Sequence, residues 1–323
     1  MRAIRIDDFC DPARITVSQV DAPQPPGPGQ VILDVAAVGV GYFDGLLIRG
    51  DYQIRPELPF IPGSSLAGTV RAVGEGVAHL AEGDPVAAFC LHGGLAEQVC
   101  LPATSCAPLP PGIDLSAAAN FFIGWATSLY GLREIGGVKD GETVLVMGAS
   151  GSTGSTAIAC AKALGARVIA CASSEAKREH CRVLGADETV DYTEPSWRER
   201  VKQLAPNGVN AVYDPVGGDQ AETALRLLAP GGRFLVVGFV AGIPTIPLNL
   251  TLLKRCSIHG VNWGGSVMAN PAVVPPVIKT LCEWTLAGTI DATPAASYPL
   301  ENAGEAFAAL FGRRSMGSIV IEP

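Results

Sequence analysis

Residues 143–154 read Thr-Val-Leu-Val-Met-Gly-Ala-Ser-Gly-Ser-Thr-Gly and run straight into a helical stretch, 155–164. An apolar strand that stops at a glycine turn and restarts as a helix can hold an anion, because the helix N-terminus offers unpaired N–H groups and the positive end of its dipole. Gly148, Gly151 and Gly154 follow G-x-x-G-x-x-G spacing, and each removes a Cβ where backbone must come close to something. A pyrophosphate over Ser150, Gly151, Ser152, Thr153 and Gly154 is the expected occupant, although tight turns without ligands use the same residues.

One helix further on, residues 167–172 form a second apolar run, as a βαβ unit requires. A NAD site would place Asp or Glu at its end to accept from the ribose 2′-hydroxyl. This chain has Ala172, Ser173 and Ser174 there, followed by Lys177 and Arg178. Two hydroxyls and two cations suit a 2′-phosphate, so NADP(H) is expected over NAD(H), with Glu175 the one discordant charge. The alternative is that Lys177 and Arg178 only solvate the outer face of a helix.

Other chemistries fit less well. Residues 148–152 match G-x-S-x-G, but no Asp and His follow at strand ends, and the same segment is needed for phosphate. His79, His92, His180 and His259 lack partners at triad or ligand spacing. Cys90, His92, Cys100 and Cys106 make a metal cluster on paper, with a spacing that fits no finger or knuckle.

The surrounding elements fall into two grammars. Up to about Ile123 short strands alternate with turns (2–6, 15–20, 31–40, 65–73, 85–89, 97–101), which predicts a compact β domain with a partly closed sheet. From Gly124 strand and helix alternate, with further strands at 188–191, 210–214, 233–238 and 257–262 and a helix at 220–228. Six strands with crossover helices predict a doubly wound parallel sheet, with ligands outside the carboxyl ends of its strands. Those ends carry 148–152, Ser173, Tyr192, 215–218 and Gly238-Phe239-Val240. Residues 264–323 offer helices at 271–287 and 300–311 and a strand at 317–322, too little for a third core. The expected domains are therefore 1–123 completed by 264–323, and 124–263.

At 323 residues two cores are required, and a composition 48% hydrophobic and 17% charged describes a folded, turn-rich enzyme. A net charge of −8 without any basic cluster argues against nucleic acid or an anionic membrane as partner. No signal-peptide core or spanning run is evident, so a cytoplasmic protein is expected. The nine cysteines, odd in number and mostly in apolar segments, read as reduced, buried thiols.

Beyond these readings, the chain resembles the medium-chain dehydrogenase/reductase superfamily, and within it the zinc-free NADPH:quinone oxidoreductases related to zeta-crystallin. The resemblance rests on residues 39–50 followed by Tyr52, Leu58-Pro-Phe-Ile-Pro-Gly63, Ala72-Val-Gly-Glu-Gly-Val77, Gly83-Asp84, Ala117-Ala-Ala119 leading to Thr127, Ala149-Ser-Gly151, Leu184-Gly-Ala186, residues 212–218 and Ile246-Pro-Leu-Asn-Leu250. It implies an α/β chain: a GroES-like β-rich catalytic domain plus a Rossmann dinucleotide-binding domain with a doubly wound parallel sheet. NADPH contacts are implied for Thr127, Ser150, Gly151, Thr153, Gly154, Ser173, Lys177, Tyr192, Gly238 and Phe239; the strand-end reading adds Ser152, Gly217 and Val240. Zinc members supply a cysteine and a Gly-His-Glu motif to their metal. Here those positions fall at Gly41 and Pro62-Gly63-Ser64-Ser65, so no catalytic metal is expected.

Hydroxyls are then the candidates for stabilising an oxyanion. Tyr52, at the position where zinc-free relatives place an active-site tyrosine, is read as hydrogen-bond donor and proton source, or else as an aromatic wall of the cleft. Tyr42 is the second candidate, beside Gly41 where such reductases commonly carry Asn; Leu46 replaces a frequent Tyr. Tyr42, Phe43, Tyr52 and Trp263 are the expected pocket lining. Quinones suit such a pocket, and so do enones and enals. An enoyl-thioester or 2-enone reductase and an NADPH-binding protein with little turnover are the alternatives. The resemblance also implies a homodimer through the edge strand at 257–262, with residues 246–253 beside it.

Overall fold

Thr143–Val146, Arg167–Cys171 and Val209–Asp214 are short apolar runs whose residues are almost all buried, the mark of strands covered on both faces. The computed structural model describes all 323 residues and assembles these runs into a six-stranded parallel sheet. Its order is Glu188–Val190, Arg167–Cys171, Thr143–Val146, Val209–Asp214, Leu228–Val236, Ser257–Gly260. The chain builds outward from Thr143–Val146 in one direction, then returns to start again beside it at Val209–Asp214. The order therefore reverses between those two strands, which opens a crevice at their carboxyl ends. Residues 148–154 and 215–218 occupy that place. Tyr213, Phe234, Leu145 and Ile169 are among the residues that fill the core around the sheet.

This unit comprises residues 124–277, so the return to the first unit begins at Ile278 and not at Gly264 as expected. The reason is a helix that two adjacent glycines conceal in the sequence, Trp263–Ala269. Asn262 caps it through Gly265 N–H at 2.9 Å, Trp263 packs on Tyr130 with ring centroids 5.3 Å apart, and Tyr130 Oη donates to Ser266 Oγ at 3.1 Å. The long helix expected over 271–287 is a 3₁₀ turn, Pro271–Val273, followed by Val274–Leu286. Pro275 and Pro276 stand in its first turn, where the missing N–H groups cost little.

The other unit, residues 1–123 with 278–323, is built on the eleven-residue strand Gln30–Val40. That strand pairs along its length with Ser65–Val73, at its start with Gln98–Pro102 and at its end with the C-terminal Ile319–Glu322. Two register shifts against Ser65–Val73 mark where it bends enough to serve all three neighbours. The returning segment thus enters this sheet as a strand. It also supplies Ala303–Phe311, whose Phe307 lies in the core beside Leu33, Leu47 and Leu66.

Candidate active site

The three glycines of the turn have three different jobs. Gly148 has φ 55°, left-handed, and a Cβ there would stand 2.5 Å from the Val216 side chain. At Gly154 a Cβ would lie 2.4 Å from Gly148 O and 2.7 Å from Ala149 Cα, so glycine lets the helix Ser152–Ala163 start directly against the strand. Gly151, the N-cap, is different: a Cβ there would meet only Gly148 O, at 3.5 Å. The room at Gly151 is not filled by the protein. Beside it, Ser152 Oγ is buried without a hydrogen-bond partner, a state that costs on the order of 1–3 kcal/mol when nothing satisfies it. An open cradle, a helix N-terminus and an unpaired hydroxyl fit a phosphate group.

Four of the predicted residues gather at the neighbouring strand ends. Asp214, 3% exposed, accepts from Val216 N at 2.8 Å and Gly217 N at 3.0 Å. Burial raises its carboxyl above the usual range, and these two N–H groups oppose the rise. Gly218 N donates to Gly242 O at 2.8 Å and Ala241 N to Val216 O at 2.9 Å, which brings Gly238, Phe239 and Val240 up to Gly217. Phe239 and Val240 are 47% and 36% exposed.

At the predicted 2′ end, Ser174 caps the helix Glu175–Val183. The two cations there are not equivalent. Arg178 is clamped between Glu175, at 2.7 Å, and Asp191, at 2.5 Å, with its side chain 17% exposed. Glu175, discordant in the sequence, is thereby explained, since it neutralises Arg178 and Arg182. Ser173 and Lys177 remain the pair expected at a 2′-phosphate. Tyr192 follows Asp191 and is half-buried against the core of this unit.

In the other unit, Gly41 opens the helix Tyr42–Arg49, an element absent from the sequence reading. Asp44, fully buried, accepts from Gly41 N at 2.9 Å and from Ser64 Oγ at 2.8 Å. With no cation beside it, desolvation pushes its pKa up to about 6 despite those donors. A Gly-x-x-Asp sequence, with an acid at the third helical position, was the available signal. One carboxylate tied to a hydroxyl and an amide is not a zinc-binding set, and no three His, Cys, Asp or Glu side chains come together anywhere in the chain. Cys90 donates to Gly63 O at 3.4 Å, and the His92 ring packs on Phe60.

The helix sends its aromatic residues in two directions. Tyr42 packs on Phe311, with centroids 4.5 Å apart, and Phe43 meets Tyr52 edge-on at 4.7 Å. Phe311 fits there because Gly45 lacks a Cβ, which would stand 2.1 Å from its ring. Tyr42 and Tyr52 are both half-buried, and neither hydroxyl bonds within the chain. Trp263, also expected among the pocket residues, lies in the unit 124–277, 3% exposed and packed on Tyr130. Thr127 is half-buried in the short helix Ala126–Leu129, between π-helical turns Phe121–Trp125 and Tyr130–Ile135.

Comparison with known proteins agrees with this architecture. Residues 27–111 match the family described as Alcohol dehydrogenase GroES-like domain, and residues 152–281 that described as Zinc-binding dehydrogenase. The Quinone oxidoreductase-like protein 2 homolog of Nematostella vectensis is 35% identical over 91% of this chain and 82% of its own length. A Mycocerosic acid synthase-like polyketide synthase of Mycobacterium tuberculosis is 31% identical over 92% of this chain, which is 14% of that protein. The structure of Escherichia coli quinone oxidoreductase complexed with NADPH superposes with a TM-score of 0.92 at 27% identity, over all of both chains. With the glycine turn at the switch point of a parallel sheet and the GroES-like unit beside it in sequence, the chain belongs to the quinone oxidoreductase family of medium-chain dehydrogenases/reductases.

Proposed function

We propose that this protein is a cytoplasmic, zinc-independent oxidoreductase that uses NADPH to reduce a quinone or another conjugated carbonyl compound. The observation that carries the cofactor half is the open cradle at Gly151 with the unpartnered Ser152 hydroxyl. N–H groups of Ser150, Ser152, Thr153 and Gly154 would hold the pyrophosphate, while Gly151 N closes the turn onto Gly148 O, and Ser173 and Lys177 would hold the 2′-phosphate. Bound NADPH supplies the hydride. On the acceptor side, Tyr52 keeps a phenol proton that no group in the chain competes for. It donates to the oxygen on which negative charge grows, then recovers its proton from solvent. The absence of Cys, His and Glu at Gly41 and residues 62–65 supports the zinc-free reading, and nine free thiols suit a reducing compartment.

A second acceptor, an enoyl thioester, is favoured by the match to a segment of a polyketide synthase. Hydride would then reach the β-carbon, and Tyr52 or water would protonate the α-carbon. Rates of NADPH and NADH oxidation against a panel of ortho- and para-quinones, 2-alkenals and a short enoyl thioester separate these readings. Quinone turnover with NADPH preferred is the expected profile. Thioester preference moves the protein to the double-bond reductases, and NADPH binding without turnover makes it a binding protein. In the favoured case Tyr52→Phe lowers kcat/KM about 100-fold; full activity of that variant would remove Tyr52 from the mechanism.

We further propose a homodimer through the edge of the parallel sheet. Ser257–Gly260 is paired on one side only, and Ile243, Leu248, Leu252 and Leu253 next to it are 71–83% exposed. A row of unpaired backbone groups flanked by exposed aliphatic side chains suits a second copy of the same edge. Light scattering of Leu253→Asp, with the wild type alongside, is the test. The wild type should run at twice the chain mass and the variant at half that value; a monomeric wild type refutes the pairing.

A further inference from the structure

The unit 124–277 holds a buried chain of three hydroxyls that no catalytic step uses. Tyr213, fully buried on Val209–Asp214, has its Oη 3.0 Å from Ser128 Oγ. Ser128, fully buried on Ala126–Leu129, lies 2.8 Å from Thr156 Oγ1 and 3.1 Å from Thr153 O. Thr156, 3% exposed, stands 3.0 Å from Gly124 O, in the first π turn, and 3.0 Å from Thr153 O. Three protons are available. The only partner of the Tyr213 phenol is Ser128, so its proton is satisfied only by donating there; Ser128 then passes its proton on toward Thr156 or Thr153 O, and Thr156 toward a carbonyl. Donation from the strand outward is the one order that satisfies all three protons.

We infer that Tyr213 is a positioning residue for the cofactor, acting through Ser128 and Thr156. A phenylalanine would fill the same core space without needing a partner, so the hydroxyl must do something other than pack. What it joins is specific. Ser128 bonds across to Thr156 and follows Thr127 in sequence, while Thr153 O and Gly124 O belong to the glycine-turn helix and the π turn. Asp214, the next residue after Tyr213, fixes Gly217 through its carboxylate. One strand end therefore sets the relative positions of Thr127, Thr153 and Gly217, all predicted to touch NADPH. A π turn carries one residue more than an α turn and is correspondingly easier to reshape, and the Thr156 bond to Gly124 O holds this one in place.

This inference rests on the NADPH reading, and one titration tests both. NADPH fluorescence is followed on wild type, Tyr213→Phe, Ser128→Ala and Phe234→Leu, far below their melting temperatures, which are measured in parallel. Phe234, 1% exposed in the next strand, sits outside the hydroxyl chain, and its truncation reports what loss of core stability alone does. Tyr213→Phe and Ser128→Ala should each raise the Kd for NADPH about five- to tenfold, the scale of one lost hydrogen bond. Phe234→Leu should lower Tm at least as far with its Kd unchanged. Wild-type affinity in Tyr213→Phe, or an equal loss in Phe234→Leu, overturns the positioning role. Failure of the wild type to bind NADPH would instead overturn the cofactor reading, and this inference with it.

Discussion

Gly154→Ala should destabilise the chain by about 3 kcal/mol and weaken NADPH binding about 100-fold, whereas Gly151→Ala should cost at most about 1 kcal/mol and still impair binding. Alanine is the better helix former by about 1 kcal/mol, so propensity alone predicts that Gly154→Ala stabilises. The clash decides the sign. A Cβ 2.4 Å from one backbone atom and 2.7 Å from another cannot be relieved by a rotamer, and the helix must retreat from the turn. At Gly151 the nearest obstacle is 3.5 Å away, so the new methyl group occupies the space assigned to phosphate. Urea unfolding followed by circular dichroism, with an NADPH titration of each variant, separates the two effects. Unaltered binding by Gly151→Ala would mean that the cradle is not a phosphate site.

Asp44→Ala carries the other large effect, and its size depends on pH. The substitution strips two donors, Gly41 N–H and Ser64 O–H, of their acceptor and leaves a cavity, for a loss of roughly 3–5 kcal/mol at acid pH. The folded pKa, about 6, lies above the ordinary 3.8, so the folded state binds the proton more tightly than the unfolded one. Asp44 therefore contributes most below pH 4, and its contribution falls by roughly 3 kcal/mol as pH rises through 6, then levels off. The gap between wild type and variant should narrow over that interval. A gap that widens with rising pH only below about pH 4 and stays flat from about pH 4.5 to 7 would show that Asp44 is ionised and stabilised in the fold, contrary to its burial. Loss of Asp44 also frees the start of the helix that carries Tyr42 and Phe43, so acceptor turnover should fall along with stability.

Signals carried within a few consecutive residues were legible in the sequence. The glycine turn and the apolar strands are local patterns, and the sheet and the open cradle follow them. Contacts between distant segments were not. Tyr42–Arg49 is hidden by flanking glycines, and Trp263–Ala269 by Gly264 and Gly265. The packing of Trp263 on Tyr130 likewise joins residues 133 positions apart, which no local pattern marks. The neutralisation of Arg178 depends on Asp191, 13 residues on, and the hydroxyl chain on Ser128, Thr156 and Tyr213 meeting across 85 residues of sequence. Serines, threonines and tyrosines in apolar segments carry no mark of which will find each other.

The burial of the cysteines bears on how the chain would withstand the electrophilic acceptors proposed for it. Quinones and enals are Michael acceptors, and they alkylate thiolates far faster than thiols. All nine cysteines are free, and desolvation raises every one of them above its ordinary pKa, Cys106 to about 12 and Cys282 to about 11. At neutral pH the folded chain presents little nucleophilic sulfur, so the acceptors proposed above would find few thiolates to arylate.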